Sequence, residues 1–478
     1  MQYAGLMKPA FALLVLPVVV FAQHQQVIQG VEQRAAHFAA VSRTIWEYAE
    51  TGYHEDKSSA LLQKELQAAG FRVQAGVAEE PTAFVATFGS GKPVIGLMGE
   101  FDALPGLSQA ARPDRSPVVQ GGAGHACGHN LLGAGSALAA VAIKEYMEKN
   151  HVAGTLRYYG TPAEEGGAGK VYMIRAGLFR DVDVMMQWHP SSDNSVSSGG
   201  ALAINTAKFF FRGTASHAAL APERGRSALD AVMLMGNGLE FLREHIPANS
   251  RVHYTITNGG AAPNIVPDSA ELYLYARNPT LNALNGVWDR ILKVANGAAM
   301  MTDTTVEIRG LSGSANIVPN DALAPAAQKI LEEVGGFRYT AEERHFAEDL
   351  QKSLPAEAAG ALESTAVVAP FRRPDPNTPS ASTDVGDVSW NVPTIGFSGA
   401  TFVPGVGAHT WQAAACAGMT IGQKGMVVAA KAMASMAQEL FAKPQLVADA
   451  KADFAKQMQG KAYKSVIPEG AKPPLNYR

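Results

Sequence analysis

From Val27 to Glu50 apolar residues return every three to four positions, and Ser58 to Ala69 repeats that spacing through Leu61, Leu62 and Leu66, so two early helices are predicted. Phe84 to Phe88 and Val94 to Met98 are short apolar runs that predict strands, the second leading into Gly99-Glu-Phe-Asp-Ala-Leu-Pro105. Leu131 to Tyr146 predicts a helix, Gly154 to Tyr159 a strand, Ala168 to Ala176 a helix and Val182 to Gln187 a strand. Such alternation predicts an α/β fold, a largely parallel sheet with helices on its faces.

Beyond Gly199-Gly200 the order changes. Leu202 to Phe211 predicts a strand, Ser227 to His245 a helix, Val252 to Thr257 and Ala270 to Ala276 strands, Leu281 to Ala299 a helix and Thr304 to Ile308 a strand. That order, βαββαβ, is the ferredoxin-like split unit, so an inserted α+β domain is expected over residues 200–311. It interrupts a first domain expected over 23–199 and resumed over 312–442. The resumed part holds a helix near Asp321 to Val334, a polar segment from Pro370 to Ser382, a strand at Thr394 to Phe397 and a helix at Gln423 to Leu440. Residues 443–478 are polar and punctuated by proline, and read as a surface extension.

With 478 residues the chain exceeds one ordinary core, in keeping with two domains. A net charge of −3 without a basic run speaks against nucleic acid as the main partner. Lys8 precedes an apolar run from Pro9 to Ala22 that is short for a membrane span and whose end, Val20-Phe21-Ala22, fits a small-residue cleavage site. Residues 1–22 are therefore expected to be a removed secretory signal, with a retained anchor as the alternative. A periplasmic or secreted protein, off the membrane once the signal is cut, is the expectation.

Chemistry concentrates at Gly121-Gly-Ala-Gly-His-Ala-Cys-Gly-His-Asn130, where one thiol and two imidazoles share five residues. Thiolate and imidazole suit zinc and neighbouring divalent ions. The competing readings of Cys127 are a buried small hydrophobe, a nucleophile beside His, or half of a disulfide with Cys416, which an oxidising compartment would permit although a glycine-rich loop between two histidines suits a ligand better. Three polar motifs follow predicted strands, where open α/β sheets gather function: Asp102, the pair Glu164-Glu165, and His189 before proline. Neighbouring residues of an extended segment point opposite ways, so one carboxylate of the pair can bind a metal while the other takes a proton from metal-bound water. Asp102 can orient a ligating imidazole, and His409 stands in a second glycine-rich loop. His24, His37, His151, His245 and His345 lack such company and are expected at the surface.

These segments, together with Ser216-His-Ala-Ala219, Arg226 to Ala231 and Asn258 to Asp268, resemble in order the amidohydrolase branch of the aminoacylase and carboxypeptidase-G metallopeptidases. The resemblance implies a mostly parallel-sheet metallopeptidase domain with an inserted dimerisation or lid domain. It implies two divalent ions, zinc or manganese, held by Cys127, His129, Glu165, His189 and His409. Glu164 would be the general base and Asp102 the residue that orients a ligand, with His125 left to the loop. His217 would polarise the scissile carbonyl, from its own or a neighbouring subunit, and Asn264 and Arg277 would hold the substrate carboxylate. Many relatives in the wider superfamily have a ligating His where this chain has Glu100, which leaves the second ion's affinity open. The activity implied is hydrolysis of an N-acyl or N-aroyl amino acid, in a homodimer or a heteromer with a related subunit. A dipeptide or auxin-like conjugate as substrate, and a non-catalytic partner subunit, are the alternatives.

Overall fold

The computed structural model describes residues 16–375 and 381–477, with side chains from residue 24 on. Most of the expected leader, and five residues of the polar segment 370–382, lie outside the described residues. The first helix, α1 (Leu16–Tyr48), runs without a break past Ala22 and buries Val27, Val31, Phe38, Val41 and Ile45. It is followed by α2 (Asp56–Ala68), β1 (Arg72–Ala75), β2 (Phe84–Ser90), β3 (Val94–Gly99), α3 (His129–Lys149), β4 (Gly154–Gly160), α4 (Gly169–Arg175), β5 (Val184–Ser191) and β6 (Ser195–Ser197). The next stretch holds β7 (Ala203–Arg212), β8 (Ser216–His217), α5 (Ala228–Arg243), β9 (Arg251–Asn258), β10 (Ile265–Val266), β11 (Ser269–Asn278), α6 (Leu281–Met301) and β12 (Thr305–Ser314). Last come α7 (Ala324–Val334), α8 (Ala341–Gln351), α9 (Val385–Ser389), β13 (Thr394–Ala400), α10 (Trp411–Ala417), α11 (Thr420–Ala442) and α12 (Pro444–Met458).

Two sheets organise these elements. A seven-stranded sheet has the order β1-β2-β4-β3-β5-β13-β6. Its centre, β4-β3-β5-β13, is parallel, and its outer strands pair antiparallel. The centre is buried on both faces, which is why β3 reads as a continuous apolar run. Helix α3 is apolar nearly all round for the same reason: it is packed between α1, α11 and the sheet.

The second sheet is antiparallel, in the order β12-β7-β11-β9. With α5 and α6 it forms the expected βαββαβ unit. In β11 the side chains alternate: Ala270, Leu272, Leu274 and Ala276 are buried in the core shared with α5 and α6, and Glu271, Tyr273, Tyr275 and Arg277 occupy the opposite face. That second face turns towards the strand ends of the seven-stranded sheet.

Two expectations need correction. Residues 443–477 are more than a surface extension, because α12 buries Val447 and Ala450, and Ile467 sits under Val171 and Tyr172 of α4. The few apolar residues among its lysines and prolines are the ones that dock. His24 is buried, 5% exposed, because it bridges α7 and α11: Nδ1 meets Glu333 at 3.0 Å and Nε2 meets Glu439 at 3.1 Å. The hydrogen bond to Glu439 leads in raising its pKa, and that carboxylate is held down at about 2.

Candidate metal centre and cavity

The parallel strands deliver their carboxyl ends to one place. After β3 come Glu100 and Asp102, after β4 the Glu164-Glu165 turn, within β5 His189, and beyond β13 the loop with His409. The Cys127 loop reaches the same place from the start of α3. Gly128, in the left-handed region at φ 77°, makes that approach possible, since a methyl group on it would lie 2.8 Å from the Pro190 ring.

Within this cluster His129 is the hub. Its Nδ1 is 2.8 Å from Asp102 Oδ1, and Asp102 Oδ2 accepts the Glu165 backbone N–H at 2.9 Å. One aspartate thus orients the imidazole and fastens the turn that bears the glutamates. On the other side, His129 Nε2 lies 3.2 Å from Glu100 Oε2, and both atoms are buried without a hydrogen-bond partner. His189 fixes its own tautomer by donating from Nδ1 to the Pro190 carbonyl at 2.8 Å, so Nε2 faces Cys127 Sγ at 3.4 Å as an acceptor. His409, held at φ 63°, donates its backbone N–H to Ala126 and approaches Glu165 Oε1 at 3.3 Å. In that left-handed conformation its ring comes up to the cluster.

Three donor groups result, each with its atoms within 4.8 Å of one another: Cys127, His129 and His189; Cys127, Glu165 and His409; Glu100, His129 and Glu164. Sulfur, imidazole and carboxylate converging with two buried polar atoms unsatisfied is a donor set that fits a divalent cation. All five expected ligands are thus brought together, and Glu100 joins them. The paired glutamates diverge as expected, for a different reason. They lie in a tight turn, with Ala163 at φ 55° pinned through its N–H by Glu55, and Glu164 goes to the Glu100 side while Glu165 goes to the Cys127 side.

Electrostatics separates the two further. Burial, with the charges of Glu100 and Glu165, raises Glu164 well above the carboxylate range. Burial alone would raise Glu165 too, but His409 and His129 hold it low. Burial pushes the Cys127 thiol up, and a bound cation would reverse that direction. Cys127 and Cys416 are both free, so no disulfide joins them.

Sequence reasoning misses Lys170. It is fully buried at the start of α4, and its ammonium meets Glu100 Oε1 at 2.7 Å and Asp384 Oδ1 at 2.6 Å. A lone lysine inside the apolar stretch Lys-Val-Tyr-Met-Ile174 is the available signal. Burial opposes its charge, but Asp384, Glu100 and Glu164 outweigh that and keep it protonated. Burial raises Asp384 to about 6 against the pull of Lys170.

In front of the cluster lies a cavity of about 570 Å³. Glu164, Glu165 and His409 line one side, and Tyr273, Tyr275 and Arg277 of β11 line the other. Arg277 therefore stands across the cavity from the paired glutamates. His217, exposed on the small β8-β10 ribbon, and Asn264, whose carbonyl accepts the Ala218 N–H, are not among the residues lining this cavity.

The family model described as "Peptidase family M20/M25/M40" matches residues 96–439. The chain is 39% identical to one of the subunits of p-aminobenzoyl-glutamate hydrolase of Escherichia coli, over 93% of this chain and 97% of the relative. It is 30% identical to human Xaa-Arg dipeptidase, over 91% of this chain and 93% of that one. A Bacillus subtilis protein described as a dinuclear metal binding peptidase from the M20 family has the same fold, with a TM-score of 0.57 at 17% identity, covering 86% of this chain and 99% of that one. The chain belongs to peptidase family M20/M25/M40 and is a hydrolase of that family.

Proposed function

We propose that the protein hydrolyses the amide bond of N-acyl or N-aroyl amino acids of the p-aminobenzoyl-glutamate kind. The observation that carries this reading is the half-buried Glu164 carboxyl, which stands beside the donor cluster and lines the same cavity as Arg277. Two divalent ions, zinc or manganese, would be held by Cys127, His129, Glu165, His189 and His409, with Glu100 as a further donor. When bound they would supply an acidified water and polarise the scissile carbonyl. Glu164 would take the proton of the attacking water and give it to the leaving nitrogen. Asp102 keeps the His129 ring in register, and Arg277 would take the substrate carboxylate in a two-pronged contact. The name of the Escherichia coli relative supports the substrate class, and the Bacillus subtilis relative, described as dinuclear, supports the ion count.

His217 and Asn264 would reach a substrate from a second subunit docked through the ferredoxin-like unit. The partner would be a second copy or a related chain, and the naming of the Escherichia coli relative as one of two different subunits favours the latter. Residues 1–22 would direct export to the periplasm or beyond. A dipeptidase reading is the second possibility, favoured by the similarity to Xaa-Arg dipeptidase. The test is a panel of p-aminobenzoyl-glutamate, indoleacetyl-aspartate and Xaa-Arg dipeptides, assayed on metal-loaded and chelated protein. Hydrolysis of the aroyl conjugate that disappears on chelation is expected, whereas turnover surviving chelation, or confined to dipeptides, overturns it.

A further inference from the structure

The family match ends at residue 439, yet the chain beyond α12 runs back to the cavity, which Tyr477 helps to line. Residues 459–477 form a strap between the two sheets. On the ferredoxin-like side Tyr463 and Val466 pack against that unit's core. On the other side the Tyr463 hydroxyl donates to Asp387 Oδ1 at 2.7 Å, Ile467 is buried with α4, and the Arg175 guanidinium ties down the carbonyls of Ile467, Pro468 and Ala471 at 2.5, 3.0 and 3.2 Å. The strap then carries Tyr477 into the cavity wall beside Glu164, Glu165 and Gly166. Its ring meets Tyr53 edge to face at 5.9 Å, and Gly52 makes the room, since a methyl group there would collide with the Tyr477 hydroxyl.

We propose that the strap is part of the substrate site and that Tyr477 is a specificity-determining residue that limits the size of the acyl group. This rests on the amidohydrolase reading above. With the amino acid's carboxylate at Arg277 on the β11 face, the acyl half points back to the Glu164 turn, which Tyr477 flanks together with Gly52 and Tyr53. An aromatic wall at that point accepts a flat, compact aroyl group and closes the space behind it.

The experiment compares kcat/KM for benzoyl-glutamate and 4-phenylbenzoyl-glutamate in the metal-loaded parent, Tyr477→Phe, Tyr477→Ala, and a chain ending at Pro474 that keeps every anchor of the strap. Tyr477→Ala and the shortened chain should shift the ratio about tenfold towards the bulky acyl group, chiefly through KM, and Tyr477→Phe should keep the parent ratio. Unchanged ratios in both overturn the proposal, and melting temperatures exclude a folding defect. If the parent hydrolyses neither compound, the amidohydrolase reading fails by itself. Calorimetric binding of both compounds then decides on Tyr477: a shift of the Kd ratio by about tenfold towards the bulky compound in Tyr477→Ala upholds its role, and an unchanged ratio overturns it.

Discussion

At the residue scale, the two adjacent glutamates differ in surroundings, and the tasks proposed for them differ accordingly. Glu164→Gln removes a proton acceptor and leaves the sulfur and imidazole donors in place. Turnover should fall by about 10²- to 10⁴-fold while metal content, read by plasma mass spectrometry, stays near that of the parent. Asp102→Asn acts differently, because it loosens both the His129 ring and the Glu165 backbone. About 10- to 100-fold weaker metal affinity in a competitive chelator titration is expected, and unchanged affinity would contradict the orienting role. The candidate donors Cys127, His129, His189 and His409 were legible in the sequence because thiols and imidazoles are chemically rare and these stand in glycine-rich loops or after a predicted strand. Glu100 and Lys170 were not, since a carboxylate or a lysine is common anywhere and only tertiary packing reveals that their charges are buried against each other.

Among the elements, α9 shows how a short helix can be tied from three directions. Asp387 accepts the Ala315 N–H at 2.9 Å through one oxygen and the Tyr463 hydroxyl through the other, so it joins the end of β12, α9 and the strap. Burial pushes its carboxyl up to about 7, with the Tyr463 hydrogen bond pulling the other way. A carboxyl raised in the folded chain keeps its proton where the unfolded chain has lost it, so this group makes stability fall as pH rises from about 4 to about 7. Asp387→Asn should flatten that slope in melting temperatures taken at pH 4, 5, 6 and 7. Strands and helices with clean periodicity were readable at this scale. The strap and α8 escaped notice because their docking rests on a few apolar residues in polar stretches, such as Ile467 among lysines and prolines, whereas α10, mostly apolar, is too short to show a helical period.

For the molecule as a whole, the candidate metal donors come from segments spread between residues 100 and 409, so a bound ion would tie together strands that are otherwise joined by the sheet. Chelation should therefore lower the melting temperature as well as activity, since an ion at a hundredfold excess over its Kd adds about 2.7 kcal/mol to folding. The split of the larger sheet also has a kinetic side. Strand β5 must pair with β13, from Met185 with Thr394 to Ser191 with Ala400, and the whole ferredoxin-like unit lies between them in the chain. Contacts so distant in sequence form late, whereas that unit's strands and helices are contiguous and can close early. In stopped-flow refolding of single-tryptophan variants, Trp288 of α6 should reach its native emission before Trp188 of β5. During synthesis the half-built larger sheet would wait, with β3, β4 and β5 exposed, until β13 emerges to complete its parallel centre.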